Sequence, residues 1–408
     1  MKSNHMNELN KIFTDTLTHC ASSQYSGWDP YDGLNSKVFD HSPFKYSAFF
    51  KIAWIQFFKH SPINFRQIML VEKGQNPKGL ALVLSSLCNF YECATENNLD
   101  DIGDWDLSKI RLEIDYIIKR LKELRSPNQK HYCWGYNFPW QSRAFYLPRW
   151  CPTVVATSFV TDALLKAYEI TQQAELLDIA ISSTKFVMED LNKIPHGNGV
   201  GYSYSPIDDR LVFNATLLGS RLLANVYKYT QDDELRFNAK QSIESTLPAY
   251  NADGSIDHSI QVGKSWRDSF HTGFKLESLA RYQEYTGDNA YQGIIDKGME
   301  YWLENFFEED GTCHYFDNGT YPLDIHCPGQ FFATLHYLNT ASSNKLADAV
   351  YKWMLATFYS NDSKEFIFQK KSKYEIKIPY MRWGQCWAIY GLSFYMLLKN
   401  KEKNACTN

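Results

Sequence analysis

The sequence contains no run of about 18 apolar residues, the length that spans a bilayer, so no transmembrane helix is expected. Residues 1–10 are polar and carry no apolar core of a secretory signal. Lysine and arginine form no basic block, and the net charge is −4, so nucleic-acid binding has no electrostatic basis. Together these absences predict a cytoplasmic protein that has no nucleic-acid partner.

Cysteine is present but shows no pattern. The nine cysteines are odd in number, scattered and never spaced as CxxC, which is typical of reduced thiols. His326 and Cys327 are adjacent, but no residues with a recognisable zinc spacing accompany them, so we expect neither a metal nor a cofactor. An Asp-rich diphosphate motif is also missing, which disfavours the toroids that cyclise terpenes.

Aromatic residues are what this chain has in excess. They make up 16% of it, with 27 Tyr, 26 Phe and 11 Trp. A large helical core accounts for part of this content, since 44% of the residues are hydrophobic. The remainder suits a concave site that stacks the flat faces of sugar rings.

A short signal ending in threonine recurs along the chain and indicates a repeat fold. It occupies 168–171, 227–230, 283–286 and 337–340, where the last residues are Thr171, Thr230, Thr286 and Thr340. Successive threonines are 59, 56 and 54 residues apart, and Thr95 is an earlier candidate. Because a polar turn and a new amphipathic run follow several of them, each threonine is predicted to end a helix.

Two kinds of helix alternate around these turns. Apolar helices rich in small residues, predicted to be buried on most faces, lie at 80–94, 154–170, 215–229, 273–285, 329–338 and 384–398. More charged, amphipathic helices are predicted at 47–59, 107–124, 174–191, 233–247, 290–307 and 346–358.

Six such pairs that close into a ring leave no apolar end exposed. We therefore predict an all-α fold, an (α/α)₆ barrel or six-hairpin toroid. It is expected to form one domain over residues 1–408, with an insertion at about 126–152. Two segments rich in glycine and aromatics, 199–204 and 311–316, are predicted to form short β pieces in the rim loops.

Polar residues recur at the predicted starts of the inner helices, in phase with the repeat. They are Thr153, Asn214, His271, His326 and Arg382. In a ring of hairpins the inner helices start at one rim, and helix N-termini favour anionic ligands. This phase relation predicts that the residues converge on a common site.

The segment 266–274 is the richest in polar groups. Asp268 can serve as a general acid or base, and His271 follows it one turn later. Arg267 can bind a carboxylate through two hydrogen bonds, and Trp266 can stack on a sugar. In the alternative interpretation Asp268 caps a helix and Arg267 pairs with it.

The segment 321–330 supplies a second acid and imidazole. Asp324 and His326 lie two residues apart and share a face in an extended chain, so the carboxylate can orient the ring. Tyr321 and Gln330 are candidate ligand contacts on either side. The alternative is a loop held by hydrogen bonds from Asp324 and His326 to the backbone.

A third segment, 380–387, combines a cation with two indoles. Trp383 and Trp387 stand four apart on one helix face. Arg382 and Gln385 can hold the carboxylate and hydroxyls of a ligand. An aromatic core pair beside a capping arginine is the alternative.

Two more segments supply candidate contacts, although a plain turn explains the first equally well. They contribute Trp28, Asp29 and Asp32 from 28–35, and Trp140, Gln141 and Arg143 from the insertion. Further carboxylate candidates in the rim loops are Asp208, Asp209, Asp253 and Asp257.

The twelve-helix alternation and five of these segments resemble the six-hairpin glycosidase superfamily. The segments are WDPYDGLN (28–35), NFPWQSR (137–143), WRDSFHTGF (266–274), PLDIHCPGQ (322–330) and YMRWGQCW (380–387). The superfamily includes unsaturated glucuronyl hydrolases, enzymes of the N-acylglucosamine 2-epimerase type and related polysaccharide lyases. More closely, the segments look like cytoplasmic proteins encoded among bacterial capsule and O-antigen genes.

The resemblance implies a funnel lined by aromatic side chains and by polar groups at the starts of inner helices. Its acid–base candidates here are Asp268, His271, Asp324 and His326. The paired histidines of the epimerases correspond in type to His271 and His326. No segment matches the setting of the catalytic aspartate in the glucuronyl hydrolases.

The first hypothesis is an enzyme with hydrolase-like acid–base chemistry that acts on a uronate-bearing or similar glycan in surface-polysaccharide metabolism. Arg267 and Arg382 would hold the anionic group of this oligosaccharide or polysaccharide partner. An epimerase or lyase, or a non-catalytic glycan-binding assembly protein, is the alternative. A hydrolase requires two carboxyl groups about 5 Å or about 6.5–9.5 Å apart, whereas an epimerase requires two bases that flank one carbon.

Overall fold

The computed structural model describes residues 2–96, 105–143, 145–259, 266–338 and 344–405, so Thr340 and Cys406 lie outside the described residues. Most of the described chain is helical. The helices are α1 (Lys2–Ser22), α2 (Lys37–Asp40), α3 (Ala48–His60), α4 (Pro77–Glu96), α5 (Leu107–Glu123), α6 (Val154–Thr171), α7 (Ala174–Lys185), α8 (Phe213–Thr230), α9 (Asp233–Glu244), α10 (Ser269–Thr286), α11 (Gln292–Phe306), α12 (His326–Leu338), α13 (Asn344–Phe358) and α14 (Trp387–Ala405).

The even-numbered helices from α4 to α14 form a closed inner ring. Each packs on the next, and α14 packs back on α4. The helices α5, α7, α9, α11 and α13 lie outside the ring, each against the inner helix that precedes it. Most residues of the inner helices are buried, as expected for helices that are covered on both sides. The predicted (α/α)₆ toroid is confirmed.

Helix α1 completes the outer layer. The helix predicted at 47–59 is present as α3, but its predicted position in the outer layer is wrong. Leu9, Phe13 and Leu17 recur every four residues on one face of α1 and are fully buried. The ring of Phe13 lies 4.8 Å from that of Phe90 on α4. Helix α3 instead packs at the rim, on the 3₁₀ turn Asp32–Asn35 and on the insertion.

The threonine signal has a local physical cause. Thr171, Thr230 and Thr286 each end an inner helix, and the residue that follows each of them has a positive φ of 55° to 72°. In all three turns the threonine hydroxyl accepts a hydrogen bond, 3.3 Å long, from the backbone N–H two residues later. The hydroxyl thus satisfies a backbone donor just beyond the end of the helix.

Small residues in the inner helices allow close backbone contact. A Cβ on Gly391 of α14 would lie 2.6 Å from the Cα of Gly329 on α12. A side chain at either position would push the two helices apart. This contact explains why the inner helices contain glycine despite its poor helix propensity.

Buried charges bind three inner helices together below the helix starts. Arg221 on α8 contacts Asp162 on α6 and Glu277 on α10, each at 2.7 Å. Arg281 contacts the same two carboxylates at 3.2 and 3.1 Å. All four side chains are almost fully buried, so each charge depends on its partners.

The strands are short and belong to loops between the helices. They are β1 (Trp140–Gln141), β2 (Tyr146–Leu147), β3 (Lys193–His196), β4 (Gly199–Tyr202), β5 (Leu323–Asp324), β6 (Tyr359–Ser360), β7 (Glu365–Phe366), β8 (Gln369–Lys370) and β9 (Glu375–Ile376). Antiparallel pairs join β1 to β2, β3 to β4 and β6 to β7, and β8 lies between β5 and β9.

Strand β4 confirms the prediction for 199–204. The predicted strand at 311–316 is replaced by isolated bridges, one of which ties Phe316 to Asp268 at the start of α10. None of the described helices is long and apolar enough to cross a lipid bilayer.

Candidate functional site

The starts of the inner helices surround one cavity of about 950 Å³. Each inner helix, or the turn just before it, contributes to the lining. The contributors are Lys78 from α4, Val155 from α6, Asn214 from α8, Phe270, His271 and Phe274 from α10, His326 from α12, and Arg382 and Trp383 from the π-helical turn Met381–Cys386 before α14.

Four of the five polar positions predicted from the repeat therefore meet in this cavity. The fifth, Thr153, caps α6 by accepting a hydrogen bond from the backbone N–H of Ala156 at 3.1 Å. Because inner helices start at the same rim, the phase of the repeat was sufficient to find this set of residues.

Asp268 both caps α10 and holds an imidazole. Its Oδ1 accepts the backbone N–H of His271 at 2.7 Å, and its Oδ2 lies 2.6 Å from Nδ1 of His271. The Asp268 side chain is fully buried and does not line the cavity, whereas His271 does. The predicted direct acid–base role of Asp268 stays a prediction, and in this structure His271 is the group that faces the cavity.

His326 lies in an aromatic cage at the start of α12. Its ring stacks on Phe270 at 4.2 Å and on Trp387 at 3.9 Å, and Trp383 meets it edge-on at 4.7 Å. Neither ring nitrogen has a hydrogen-bond partner among the described residues. Burial makes the largest contribution and the nearby Lys78 the next to a pKa of His326 well below its ordinary value, which favours the neutral ring.

Asp324 supports this cage from behind and does not line the cavity. Its Oδ1 accepts the indole N–H of Trp383 at 3.0 Å and the backbone N–H of His326 at 2.9 Å. Its Oδ2 accepts Nε2 of Gln369 at 2.7 Å. Within His326 the carboxylate contacts the backbone N–H and not the imidazole ring. Asp324 therefore does not orient the ring directly, contrary to the prediction. Burial raises the pKa of Asp324.

Arg382 lines the cavity but is already neutralised. It donates from Nε and Nη2 to the two carboxylate oxygens of Asp29 at 2.6 and 2.8 Å, and both side chains are buried. Asp29 thus neutralises the charge of Arg382 and takes two of its five N–H donors, which makes Arg382 a weaker candidate for the predicted capture of a substrate carboxylate.

Asp32 belongs to a neighbouring buried pair. Its Oδ1 accepts Nε of Arg66 at 2.6 Å, and its Oδ2 accepts the backbone N–H of Asp29 at 2.8 Å. Burial raises the pKa of Asp32 to about 6. These hydrogen bonds hold the loop 28–35 in place. The side chain of Asp32 does not line the cavity.

The insertion covers one side of the cavity through its β1–β2 hairpin. Trp140, Arg143 and Phe145 line the cavity, and the rings of Trp140 and Phe145 meet edge-on at 5.9 Å. Gln141 is turned away, and its amide donates to the carbonyl of Ser142 at 2.9 Å. Two of the three residues predicted from the insertion are thus at the cavity.

Trp266 and Asn214 also line the cavity as predicted. Trp266 is 42% exposed and stacks on His258 at 4.4 Å. Burial makes the largest contribution and the adjacent His271 the next to the lowering of the pKa of His258 to about 3. The side-chain oxygen of Asn214 is buried and has no hydrogen-bond partner among the described residues.

The remaining predicted contacts lie outside the lining and have other partners or positions. Arg267 pairs with Asp257 at 3.0 Å, and Tyr321 is 51% exposed. The indole of Trp28 donates to the carbonyl of Val71 at 2.8 Å.

Two glutamines are buried for structural reasons. Gln330 donates to Glu277 at 2.7 Å, and Gln385 holds both backbone groups of Phe366 at 2.9 and 2.7 Å.

Sequence reasoning missed Lys78, the second residue of α4. It is 4% exposed, and its Nζ lies 4.1 Å from the ring centre of Phe159, 5.1 Å from that of Phe274 and 5.3 Å from that of Trp387. The backbone N–H of Lys78 donates to Asn76 at 3.0 Å, but no described residue forms a hydrogen bond or an ion pair with Nζ. Burial makes the largest contribution and Arg382 the next to a pKa of Lys78 well below its ordinary value. Its position at a helix start, in phase with the repeat, is the signal that could have found it.

Four tyrosines of the lining were missed as well, namely Tyr31, Tyr136, Tyr204 and Tyr315. Tyr31 accepts Nζ of Lys59 at 2.9 Å, and its ring lies 5.3 Å from Trp383. The hydroxyls of Tyr136 and Tyr204 lie 3.1 Å apart. These contacts join distant segments, so no local pattern reveals them.

Cationic side chains outnumber carboxylates in the wall of the cavity. The lining contains Lys59, Lys78, Arg143, Arg210 and Arg382, but Asp209 is its one carboxylate among the described residues. Within the described chain, no group of three or more His, Cys, Asp or Glu side chains is arranged to hold a metal ion. The wall therefore offers imidazoles, aromatic faces and cations to a ligand.

Solved structures share this architecture at low sequence identity. Cellobiose 2-epimerase from Bacillus thermoamylovorans matches with a TM-score of 0.61 and 12% identity, over 79% of this chain and 87% of that one. A family 76 α-mannanase from Bacteroides thetaiotaomicron gives 0.58 and 12%, over 80% and 87%. An unsaturated glucuronyl hydrolase specific for heparin gives 0.56 and 13%, over 96% and 97%. At these identities the likeness shows the common toroid fold.

No family model matches the chain, and no curated protein matches it in a sequence search.

Proposed function

We propose that this chain is a carbohydrate-active enzyme that moves a proton at a sugar carbon next to a carbonyl, as an epimerase or isomerase does. The observation that carries the proposal is the pair of imidazoles, His271 and His326, in one aromatic cavity. Both rings contact Phe270, at 4.5 and 4.2 Å between ring centres. Two bases on either side of one bound carbon are what an epimerase needs.

His271 is prepared to exchange a proton with the substrate. The bond from Nδ1 to Asp268 leaves Nε2 as the nitrogen that can take the proton from carbon. The Asp268 carboxylate stabilises the imidazolium that forms. The carbon–hydrogen bond breaks, and its electron pair moves into an enediolate.

His326 is the partner on the other side. Inversion needs one neutral and one protonated imidazole at a time. Neutral His326 takes the proton from carbon while a protonated His271, paired with Asp268, returns one to the other face, and the reverse direction exchanges the two states. Return of a proton to the opposite face inverts the carbon, whereas return to the neighbouring carbon interconverts aldose and ketose. Trp383 and Phe270 offer apolar faces against which the sugar can pack.

Lys78 supports an anionic substrate of the uronate type. A buried ammonium group without a counter-ion is unfavourable, and a carboxylate bound beside it would remove that penalty. Arg382 and Lys59 are less suited to this role because Asp29 and Tyr31 already occupy them. The exposed Arg143 would add to the attraction at the insertion.

Hydrolysis, the reaction favoured from sequence, has less support. Both glycosidase mechanisms use two carboxyl groups that flank the scissile bond. Among the described lining residues only Asp209 carries one. We further propose that the enzyme works in the cytoplasm on precursors of bacterial surface polysaccharide, in line with the sequence resemblance.

Deuterium exchange tests the proposal. The purified chain is incubated in ²H₂O with hexoses, N-acetylhexosamines and hexuronates, free and as disaccharides. Proton NMR should show deuterium at the carbon next to the carbonyl together with an epimer or isomer. His271→Asn and His326→Phe should each slow exchange by about 10²–10⁴-fold.

The matched control is His314→Asn. His314 pairs with Glu308 at 2.7 Å, much as His271 pairs with Asp268, but it does not line the cavity. Its exchange rate should equal that of the unaltered chain. A new reducing end or an unsaturated product without deuterium would overturn the proposal in favour of a hydrolase or a lyase. Saturable sugar binding without any turnover would point to a binding protein.

A further inference from the structure

Residues 38–70 carry an apolar surface that faces solvent. Nine of the sixteen large apolar side chains exposed in the described chain lie in this stretch. Tyr46 is 83% exposed and Phe49 is 73% exposed. We call this surface the aromatic face and define it by Phe44, Tyr46, Phe49, Phe50 and Phe57.

Helix α3 presents the aromatic face as a continuous stripe. Phe49 and Phe57 lie eight residues apart and share the outward side of the helix, while Ile55 and Phe58 are buried on the inward side. The ring of Phe50 lies 4.5 Å from Phe44 and 5.4 Å from Phe49. Exposed apolar patches of this extent mark interaction sites.

The charge around the aromatic face is positive, although the whole chain carries −4. Residues 37–73 contain five lysines besides the buried Arg66, and their only acids are Asp40 and Glu72. Both acids pair with lysines, Asp40 with Lys45 and Glu72 with Lys37. Lys59 lines the cavity and donates to Tyr31, while Lys51 and Lys73 have no carboxylate partner among the described residues.

We propose that the aromatic face binds the surface of an anionic lipid bilayer, in which the phenyl rings enter the headgroup region and the lysines contact lipid phosphates. Aromatic rings flanked by lysine are the composition of helices that lie in the membrane interface. A symmetric contact between two copies is disfavoured, because it would bring the same positive segments together.

This docking would place the cavity next to the lipid. Gln56 and Lys59 of α3 line the cavity, and Phe49 and Phe57 of the same helix are exposed. A bilayer bound to this helix would thus lie close to the cavity. The inference does not depend on which reaction the cavity performs.

Vesicle sedimentation with the full chain is the test. Vesicles of pure phosphatidylcholine are compared with vesicles that contain phosphatidylglycerol, at low and high salt. The chain should bind the anionic vesicles and dissociate as salt increases. Phe49→Ser with Phe57→Ser should weaken binding by about tenfold or more, and Lys45→Glu with Lys51→Glu should also weaken it.

The controls are Leu112→Ser and Phe237→Ser, which change side chains that are 70% and 62% exposed on α5 and α9. They should bind vesicles as the unaltered chain does. Circular dichroism and thermal melting confirm that all variants fold. Lack of binding to anionic vesicles, or binding that is unaffected by the Phe49 and Phe57 changes, would overturn the proposal. The proposal would also be overturned if the chain did not bind vesicles and formed a dimer in sedimentation equilibrium that the Phe49→Ser change dissociates.

Discussion

Asp268 binds the backbone N–H and the imidazole of His271 at the same time, with one carboxylate oxygen for each. The helix cap and the orientation of the ring are therefore one structure. This arrangement defines the protonated nitrogen of His271 as Nδ1 and leaves Nε2 for the substrate. It also means that a change at Asp268 acts on both folding and chemistry, and the two effects can be separated.

Asp268→Asn separates them because asparagine caps a helix as well as aspartate does. The variant should keep the melting temperature of the unaltered chain. Its turnover should fall by about 10²-fold or more, since an amide neither accepts from Nδ1–H with the same strength nor stabilises the imidazolium. Turnover from deuterium exchange and thermal melting measure the two effects.

Thr153→Ala is the control for the cap. It removes the corresponding cap of α6 and should cost about 1 kcal/mol of folding free energy without loss of turnover. Equal losses of activity in both variants would show that Asp268 acts only through the helix.

His326→Phe should inactivate the enzyme without destabilising it. Phenylalanine fills a similar volume between Phe270 and Trp387, and it removes two buried nitrogens that lack partners. An unsatisfied buried polar group costs about 1–3 kcal/mol, so the free energy of unfolding in urea should stay equal or rise. A lower stability would mean that an unseen partner satisfies the imidazole.

Lys78 should couple binding of an anionic sugar to the uptake of a proton. Burial lowers the pKa of Lys78, and a bound carboxylate would raise it again. Affinity for a hexuronate should therefore fall as the pH rises above the lowered pKa. Titration calorimetry in two buffers of different ionisation enthalpy measures the proton taken up.

Lys78→Met should abolish this proton uptake, whereas Lys59→Met should retain it because Tyr31 holds Lys59. If the Lys78→Met variant took up the same number of protons on binding, the proton uptake would belong to another group.

Buried histidines should make the fold sensitive to mild acid. Burial lowers the pKa of His258 and His336 to about 3, and that of His326 also falls well below 6.5. Below about pH 6.5 the unfolded chain binds protons that the folded chain excludes, so stability falls as pH falls. Each such histidine contributes up to about 1.4 kcal/mol per pH unit.

His336→Phe tests this outside the cavity, because His336 lies against Phe394 at 5.1 Å. Urea unfolding between pH 7 and pH 5 should show a shallower loss of stability in the variant. Substitution of the exposed His41 by glutamine should leave the slope unchanged.

The pair of Asp29 and Arg382 should matter for stability. Asp29→Ala leaves a buried guanidinium without its partner and should cost about 3–5 kcal/mol. Replacement of both residues, Asp29→Leu with Arg382→Met, should recover part of that loss. Urea unfolding of the three variants and the unaltered chain gives the coupling energy. An unchanged free energy of unfolding in Asp29→Ala would mean that the ion pair with Asp29 does not stabilise the buried Arg382.

The sequence by itself determined the alternation of helices, because helix periodicity and turn chemistry are local. The hydroxyls of Thr171 and Thr230 satisfy backbone donors two residues away, so their spacing reports the repeat without any knowledge of the ring. The same phase located His271 and His326, because the starts of stacked hairpins must share a rim.

Only the tertiary structure decided which polar groups a ligand can reach. Arg382 and Asp29 are 353 residues apart in the chain and neutralise each other once the ring closes. Lys78 becomes notable only once the fold buries its Nζ among Phe159, Phe274 and Trp387 without an ion pair to any described residue. The pairing of charges depends on distances across the ring, and those distances follow from closure and packing, which local sequence patterns do not encode.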